Sequence, residues 1–150
     1  MKILICGLPG SGKTTLAEKL APMINAVHLN ADKVREEAND WDFSEAGRMR
    51  QAERMRLLSA QAVLENRIVI ADFICPTKYA RKEYNADFTV WMDTIKEGRF
   101  EDTNKIFEPL EEYDVKVTHM DADTWVFIVK QELVAKFGNL TAHNKGTENV

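Results

Sequence analysis

The sequence predicts a three-layer α/β domain, a five-stranded parallel sheet with helices on both faces. Three observations carry that expectation. Short runs rich in β-branched residues alternate with longer segments of helical periodicity. The third run, Ile68-Val69-Ile70-Ala71, is apolar throughout and not alternating, as expected of a strand covered on both faces. Finally, a glycine-rich stretch, Gly7-Leu8-Pro9-Gly10-Ser11-Gly12-Lys13-Thr14, joins the first run to the first helical segment with the spacing of a phosphate-binding loop.

In chain order, residues 2–6 read as a buried strand. Residues 13–22 read as a helix with Leu16 and Leu20 on one face, stopped near Pro22. Residues 26–29 form a second short strand, followed by a short helix from Asp32 to about Ala38. Ser44 then caps a long helix that runs to about Asn66, its stripe Gln51, Met55, Leu58 and Ala62 turned inward. Residues 68–71 are the third strand, and Pro76 and Thr77 open a helix carrying a basic patch of Lys78, Arg81 and Lys82. Residues 88–92 and 115–118 are the fourth and fifth strands. An amphipathic helix over 123–137 closes at Gly138. Strands joined by helical, right-handed crossovers pair in parallel, and the first strand is expected at the centre. Residues 1–137 thus form one domain with a reduced lid at about 95–109. The polar, unpatterned stretch 138–150 is expected to be a disordered tail.

Composition narrows the function classes. A chain of 150 residues with 45% hydrophobic and 29% charged residues buries one continuous core. The net charge of -4 provides no global basic field for gripping nucleic acid, which argues against a nucleic-acid partner. No segment has the apolar length of a membrane span. Lys2 and the run 3–6 lead straight into the glycine loop, unlike a signal peptide. Cys6 and Cys75 read as two structural thiols in a reducing compartment, which points to the cytoplasm. A homodimer is left open.

In a parallel sheet the ligand crevice lies at the carboxyl ends of the strands, so the residues after each strand are the candidates. After the first strand, the glycines let the backbone curl and aim its N–H groups at phosphate oxygens. Lys13 reaches the outer phosphates and the Thr14 hydroxyl ligates Mg²⁺. Gly7, Leu8, Pro9, Gly10, Ser11, Gly12, Lys13, Thr14 and Thr15 are therefore the expected ATP-binding residues, with ATP and Mg²⁺ as cofactors and Lys13 also serving catalysis. After the second strand, Asp32 lies across the crevice, where a carboxylate can accept a proton from an attacking hydroxyl or help hold the metal. Arg35, one turn on, can hold an anionic substrate group. Arg48 leads the inward stripe of the long helix and is expected to face the crevice, whereas Arg50, Arg54 and Arg56 fall on solvated faces. After the third strand, Asp72 is placed as a second metal-associated carboxylate. After the fourth, Lys96, Arg99 and Lys105 stand among acids in a lid candidate, with Arg99 or Lys105 meeting transferred charge. His28, His119 and His143 show no ligand spacing and receive no role.

These stretches together resemble the adenylylsulfate kinase family, through about residues 1–120 and in the same order. "GLPGSGKTTLA" resembles its phosphate loop and "LNADKVR" its Leu-Asp-Gly-Asp-Asn-Val-Arg segment, which puts Asp32 on the family's acid and Arg35 on a substrate-binding arginine. "DFSEAGRMRQ" resembles its Gly-Phe-Ser-Glu stretch, with Arg48 and Gln51 on the substrate-binding Arg and Asn. "ADFICP" resembles Ala-Ser-Phe-Ile-Ser-Pro, which implies that Phe73, Ile74 and Cys75 line the nucleotide pocket. "DTIKEGRFEDTNKIFEP" resembles the start of the family's lid and its closing Tyr-Glu-Pro-Pro, bringing Lys105 and Phe107 to the substrate. The resemblance implies a phosphate-loop kinase fold and an enzyme of sulfate assimilation, a phosphotransferase that moves the γ-phosphate of ATP to the 3′-hydroxyl of adenosine 5′-phosphosulfate. Departures are Asn30 for the first Asp of the substrate segment, Lys33 for Asn, Asp72 and Cys75 for two serines, and a basic lid that is nearly absent. Asn30, Asp32, Arg35 and Asp72 also resemble the arrangement in polynucleotide 5′-kinases, the alternative reading. A catalytically silent nucleotide-binding module is a third reading; the joint presence of Lys13, Thr14, Asp32 and Arg35 argues against it.

Overall fold

The computed structural model describes residues 1–140. The greater part of the expected tail, and His143 with it, lies outside the described residues. Strands β1 (Lys2–Gly7), β2 (Val27–Asn30), β3 (Val69–Asp72), β4 (Phe88–Met92) and β5 (Val115–Val117) form one sheet in the order β2-β3-β1-β4-β5. Every pairing is parallel, and β1 is central as the sequence predicts. The helices are α1 (Lys13–Ile24), α2 (Ala31–Ala38), α3 (Glu45–Leu64), α4 (Lys78–Tyr84), α5 (Glu101–Ile106) and α6 (Ala122–Phe137).

The alternation of side chains along a strand splits the interior into two cores. Ile3 and Ile5 of β1, with Ile68, Ile70, Phe88 and Val90, pack against Leu16 and Leu20 of α1 and Val129 and Leu133 of α6. On the opposite face, Leu4 and Cys6 join Ala71, Phe73 and Trp91 against Val34 of α2, Met55 of α3 and Tyr84 of α4. Leu140, within the stretch read as a polar tail, is buried in the first of these cores.

Two sequence expectations are corrected here. Pro22 does not stop α1, which continues to Ile24 and ends on Asn25 at φ 52°. Proline near a helix end removes one backbone donor, and burial of Ile24 beneath the sheet holds the last residues in register. Asparagine tolerates the left-handed conformation that closes a helix; Asn39 and Asn85 end α2 and α4 in the same way. In α3 the inward stripe is Gly47, Gln51, Met55, Ser59 and Ala62, while Leu58 turns outward. Ser59 takes the inner position because its hydroxyl lies 2.8 Å from that of buried Tyr84.

No described helix is long and apolar enough to cross a membrane.

Candidate active site

The carboxyl ends of β1, β2 and β3 bring the loop and three polar side chains together. Strand register sets Ile5 and Asn30 on either side of Asp72. The loop after β1 is shaped by close approach: a Cβ on Gly7 would sit 2.7 Å from the Met92 carbonyl oxygen. Gly12, at φ 96°, is the N-cap of α1 and offers no side-chain cap, so the first-turn N–H groups and the positive end of the helix face the loop. Such an end attracts anions. Ser11 adds a fully buried hydroxyl without a hydrogen-bond partner among the described residues, a donor left for a ligand.

Lys13 is buried, and its ammonium curls back to donate to the carbonyls of Gly7 (3.0 Å) and Leu8 (2.9 Å). Burial lowers its pKa from the ordinary lysine value; the carboxylate of Asp72, and to a smaller degree that of Asp32, opposes the shift. A bound polyphosphate would supply the anionic partner that desolvation makes costly to lack.

Thr14 stands at the junction of the cluster. Its hydroxyl donates to Asp72 Oδ1 (3.1 Å) and accepts from Asn30 Nδ2 (3.0 Å). A hydroxyl has one proton and two lone pairs, so one lone pair of Thr14 remains for a cation. Asp72 is itself deeply buried and accepts further from Asn30 Nδ2, at 3.3 Å and 3.2 Å to its two oxygens. Hard oxygen donors of this kind suit Mg²⁺. Among the described residues no group of three or more His, Cys, Asp or Glu side chains forms a self-contained cage. The oxygens of Thr14 and Asp72 therefore fit an ion shared with substrate phosphates.

Across the cleft, Asp32 is exposed on the first turn of α2, and its carboxylate makes no hydrogen bond or ion pair among the described residues; its charge acts on both Lys13 and Arg35. The N-cap of α2 is Asn30, which accepts from the Lys33 N–H at 3.0 Å and so frees Asp32 from that task. Arg35 is buried and committed locally: Nη1 donates to the carbonyls of Asp40 (2.8 Å) and Asp42 (3.1 Å), and the guanidinium lies 4.5 Å from the Phe43 ring centroid. Arg48 is half-buried on the first turns of α3, with no ion pair among the described residues.

The remaining predicted residues divide differently. Gln51 is buried with both ends of its amide engaged, donating to the Ala31 carbonyl at 2.8 Å and accepting from Arg54 at 3.1 Å. Arg50 is exposed, as the sequence suggests, and Arg54 is half-buried; both pair with Asp40, Arg50 also reaches Asp42 at 2.8 Å, and Arg56 pairs with Glu53. Phe73 and Cys75 point into the second core, Phe73 edge-on to Tyr84 with ring centroids 5.7 Å apart, and Ile74 is half-buried. Burial pushes the Cys75 and Cys6 thiols up, that of Cys6 to about 12. Arg81 is no surface cation: it donates to the carbonyls of Cys75 (2.9 Å), Pro76 (3.0 Å) and Glu108 (2.6 Å) and covers the Phe107 ring at 5.1 Å.

The lid candidate carries the short helix α5 and leans on the loop. Thr94 Oγ1 donates to the Ser11 carbonyl at 2.7 Å, and a Cβ on Gly98 would meet Pro9 atoms at 3.1 Å. Lys105 is exposed and 3.7 Å from Glu101, beside a hollow of about 410 Å³ that Gly98, Arg99 and Asn104 also line. Sequence reasoning missed His28, whose imidazole reaches Asp72 from β2; no motif spacing signals that contact, which depends on strand register.

The family described as the AAA domain matches residues 3–139. No protein of curated function matches the sequence. Among solved structures, the APS kinase of Mycobacterium tuberculosis in complex with AMPPNP and APS superposes with a TM-score of 0.70 at 21% identity, covering 88% of this chain and 96% of that one. The shikimate kinase of Acinetobacter baumannii in complex with shikimate gives 0.62 at 16% identity over 92% and 95%. A sugar kinase from Janibacter sp. HTCC2649 gives 0.70 at 14% identity over 88% and 93%. Identities this low establish a common fold, that of the phosphate-loop kinases.

Proposed function

The chain belongs to the AAA domain family, and we propose that it is an ATP-dependent phosphotransferase acting on the hydroxyl of a small anionic molecule, with adenosine 5′-phosphosulfate as the leading acceptor. The observation that carries this reading is the carboxylate of Asp32, without a hydrogen bond or ion pair among the described residues and held opposite a phosphate loop by a helix whose N-cap is another residue. A silent nucleotide binder has no need of a free carboxylate there, whereas an attacking hydroxyl needs a group to orient it and take its proton.

On this reading the residues from Gly7 to Thr15 hold the triphosphate, and Mg²⁺ at Thr14 and Asp72, when bound, offsets phosphate charge. The acceptor oxygen forms its bond to the γ-phosphorus as the bond to the bridging oxygen of ADP breaks. The hydroxyl proton passes to Asp32, and Lys13 meets charge on the transferred group. Arg48 supplies a guanidinium for the acceptor's anionic group, Arg35 a second through the nitrogens its loop contacts leave over. Gln51 supports the first turn of α2. Ile74, Lys105 and Phe107 act from the margins of the cleft, and Phe73 and Cys75, whose side chains lie in the second core, through their backbone.

The ordered matches to the adenylylsulfate kinase pattern support adenosine 5′-phosphosulfate as the acceptor. The test is ATP consumption with adenosine 5′-phosphosulfate, shikimate, a simple sugar and a 5′-hydroxyl oligonucleotide offered in turn. Stimulation by adenosine 5′-phosphosulfate above the others supports the reading. Stimulation by the oligonucleotide alone would replace it with a polynucleotide 5′-kinase.

A further inference from the structure

His28 reaches the cluster from a side that the roles above leave unused. It lies two residues before Asn30 on β2 and therefore shares its face of the sheet. The register pairs Asn30 with Asp72 and His28 with Ile70, one pleat behind. The imidazole Nε2 is 2.5 Å from Asp72 Oδ2, with 17% of the His28 side chain and 3% of the Asp72 side chain exposed. A carboxylate only accepts, so Nε2 donates.

Three side chains thus converge on one carboxylate. Thr14 binds only Oδ1, His28 binds only Oδ2, and Asn30 spans both. A carboxylate rotates easily about its last torsion, and the long bifurcated contact from Asn30, at 3.3 Å and 3.2 Å, selects no orientation firmly. The bond from His28 does, because it anchors the oxygen turned away from Thr14. We propose that His28 is a positioning residue, which locks the Asp72 carboxylate so that Oδ1 stays at the Thr14 hydroxyl, where the divalent ion of a bound nucleotide would lie. The inference rests on the reading of the loop as a Mg²⁺–ATP site and is independent of the acceptor. Groups that orient a metal-associated ligand typically affect metal affinity about 10–100-fold.

The test uses two polar substitutions that differ in reach. In His28→Gln the amide nitrogen can occupy the place of Nε2; in His28→Asn it stops near the place of Nδ1. Calorimetric titration of the full chain with ATP, with and without Mg²⁺, should show H28N binding about 10-fold more weakly with Mg²⁺. The same variant should match the parent without Mg²⁺, and H28Q should stay within about three-fold of the parent throughout. Equal weakening of H28N with and without Mg²⁺, parent-like binding by H28N, or no recovery in H28Q would each overturn the inference. Melting curves of both variants serve as the second readout. A shared fall in melting temperature with unchanged Mg²⁺ dependence would mark the contact as merely structural, and so overturn it. If the parent itself fails to bind ATP, and K13A behaves no differently, the loop reading falls and this inference with it. If the parent binds and K13A binds about 10–100-fold more weakly, the loop reading stands and the H28N and H28Q results bear on His28 alone.

Discussion

The division of labour proposed for Asp32 and Asp72 rests on their surroundings. Asp72 is deeply buried, with both oxygens taken by Thr14, Asn30 and His28, so it is a fixed group with little freedom to shuttle a proton. Asp32 is exposed on a helix turn and is the better candidate for a group that accepts one. Asp32→Asn should lower turnover by about 10²–10⁴ with ATP affinity nearly unchanged, measured by steady-state kinetics alongside calorimetry. A parent-like D32N beside a dead D72N would exchange the two roles. Lys13→Ala removes a buried ammonium that no backbone N–H replaces, and should weaken ATP binding about 10–100-fold, the loss of charge-assisted hydrogen bonds worth roughly 1.5–3 kcal/mol. Asp32, Asp72, Lys13 and Thr14 were all legible as positions, because each follows a strand end. Their partners were not. His28 meets Asp72 across 44 residues, and Gln51 bonds a backbone carbonyl of α2 rather than facing a ligand; both contacts require the packing of β2 beside β3 and of α3 beneath α2.

The loop between α2 and α3 is clamped by charge. Asp40 is held by Arg50 and Arg54, which keep its carboxyl well below the usual range. Asp42, with hydrogen bonds from Ser44 and Arg50, is lowered from 3.8 to about 2. Carboxylates with depressed folded pKa values contribute stability above their unfolded pKa and lose it as pH falls through the folded value. Acidification from about 3.8 towards about 2 should therefore loosen this segment. A D40N/D42N double variant should melt below the parent at neutral pH, and that difference should shrink across the same interval. A constant difference would show that the clasp contributes nothing through charge. Helix α1 depends instead on apolar burial. Leu16 is fully buried between α1 and the sheet, and Leu16→Ala should cost about 2–5 kcal/mol in chemical denaturation. The apolar spacing of Leu16 and Leu20 showed this face in the sequence, whereas Pro22 misled, since its effect on the helix end depends on how firmly Ile24 is buried.

The fold as a unit explains why the sequence declares its architecture more readily than its chemistry. Five apolar runs separated by helices leave few alternatives to a parallel sheet, and the glycine loop fixes which end of it binds phosphate. The proposed acceptor side comprises α2, the loop at 39–44 and the start of α3, where the same arginines can bind a substrate or their own aspartates. Only packing shows that Arg35, Arg50 and Arg54 bond to the loop while Arg48 makes no ion pair among the described residues. Whether this cleft passes phosphate to an organic hydroxyl, as proposed, or to water is decided by the fate of the γ-phosphate. ATP labelled at that position is incubated with the protein, Mg²⁺ and adenosine 5′-phosphosulfate, and the products are separated. Label is expected on the acceptor's 3′-hydroxyl and should appear there about 10²–10⁴-fold more slowly with D32N; label recovered only as inorganic phosphate, at a rate the acceptor does not change, would refute the transfer.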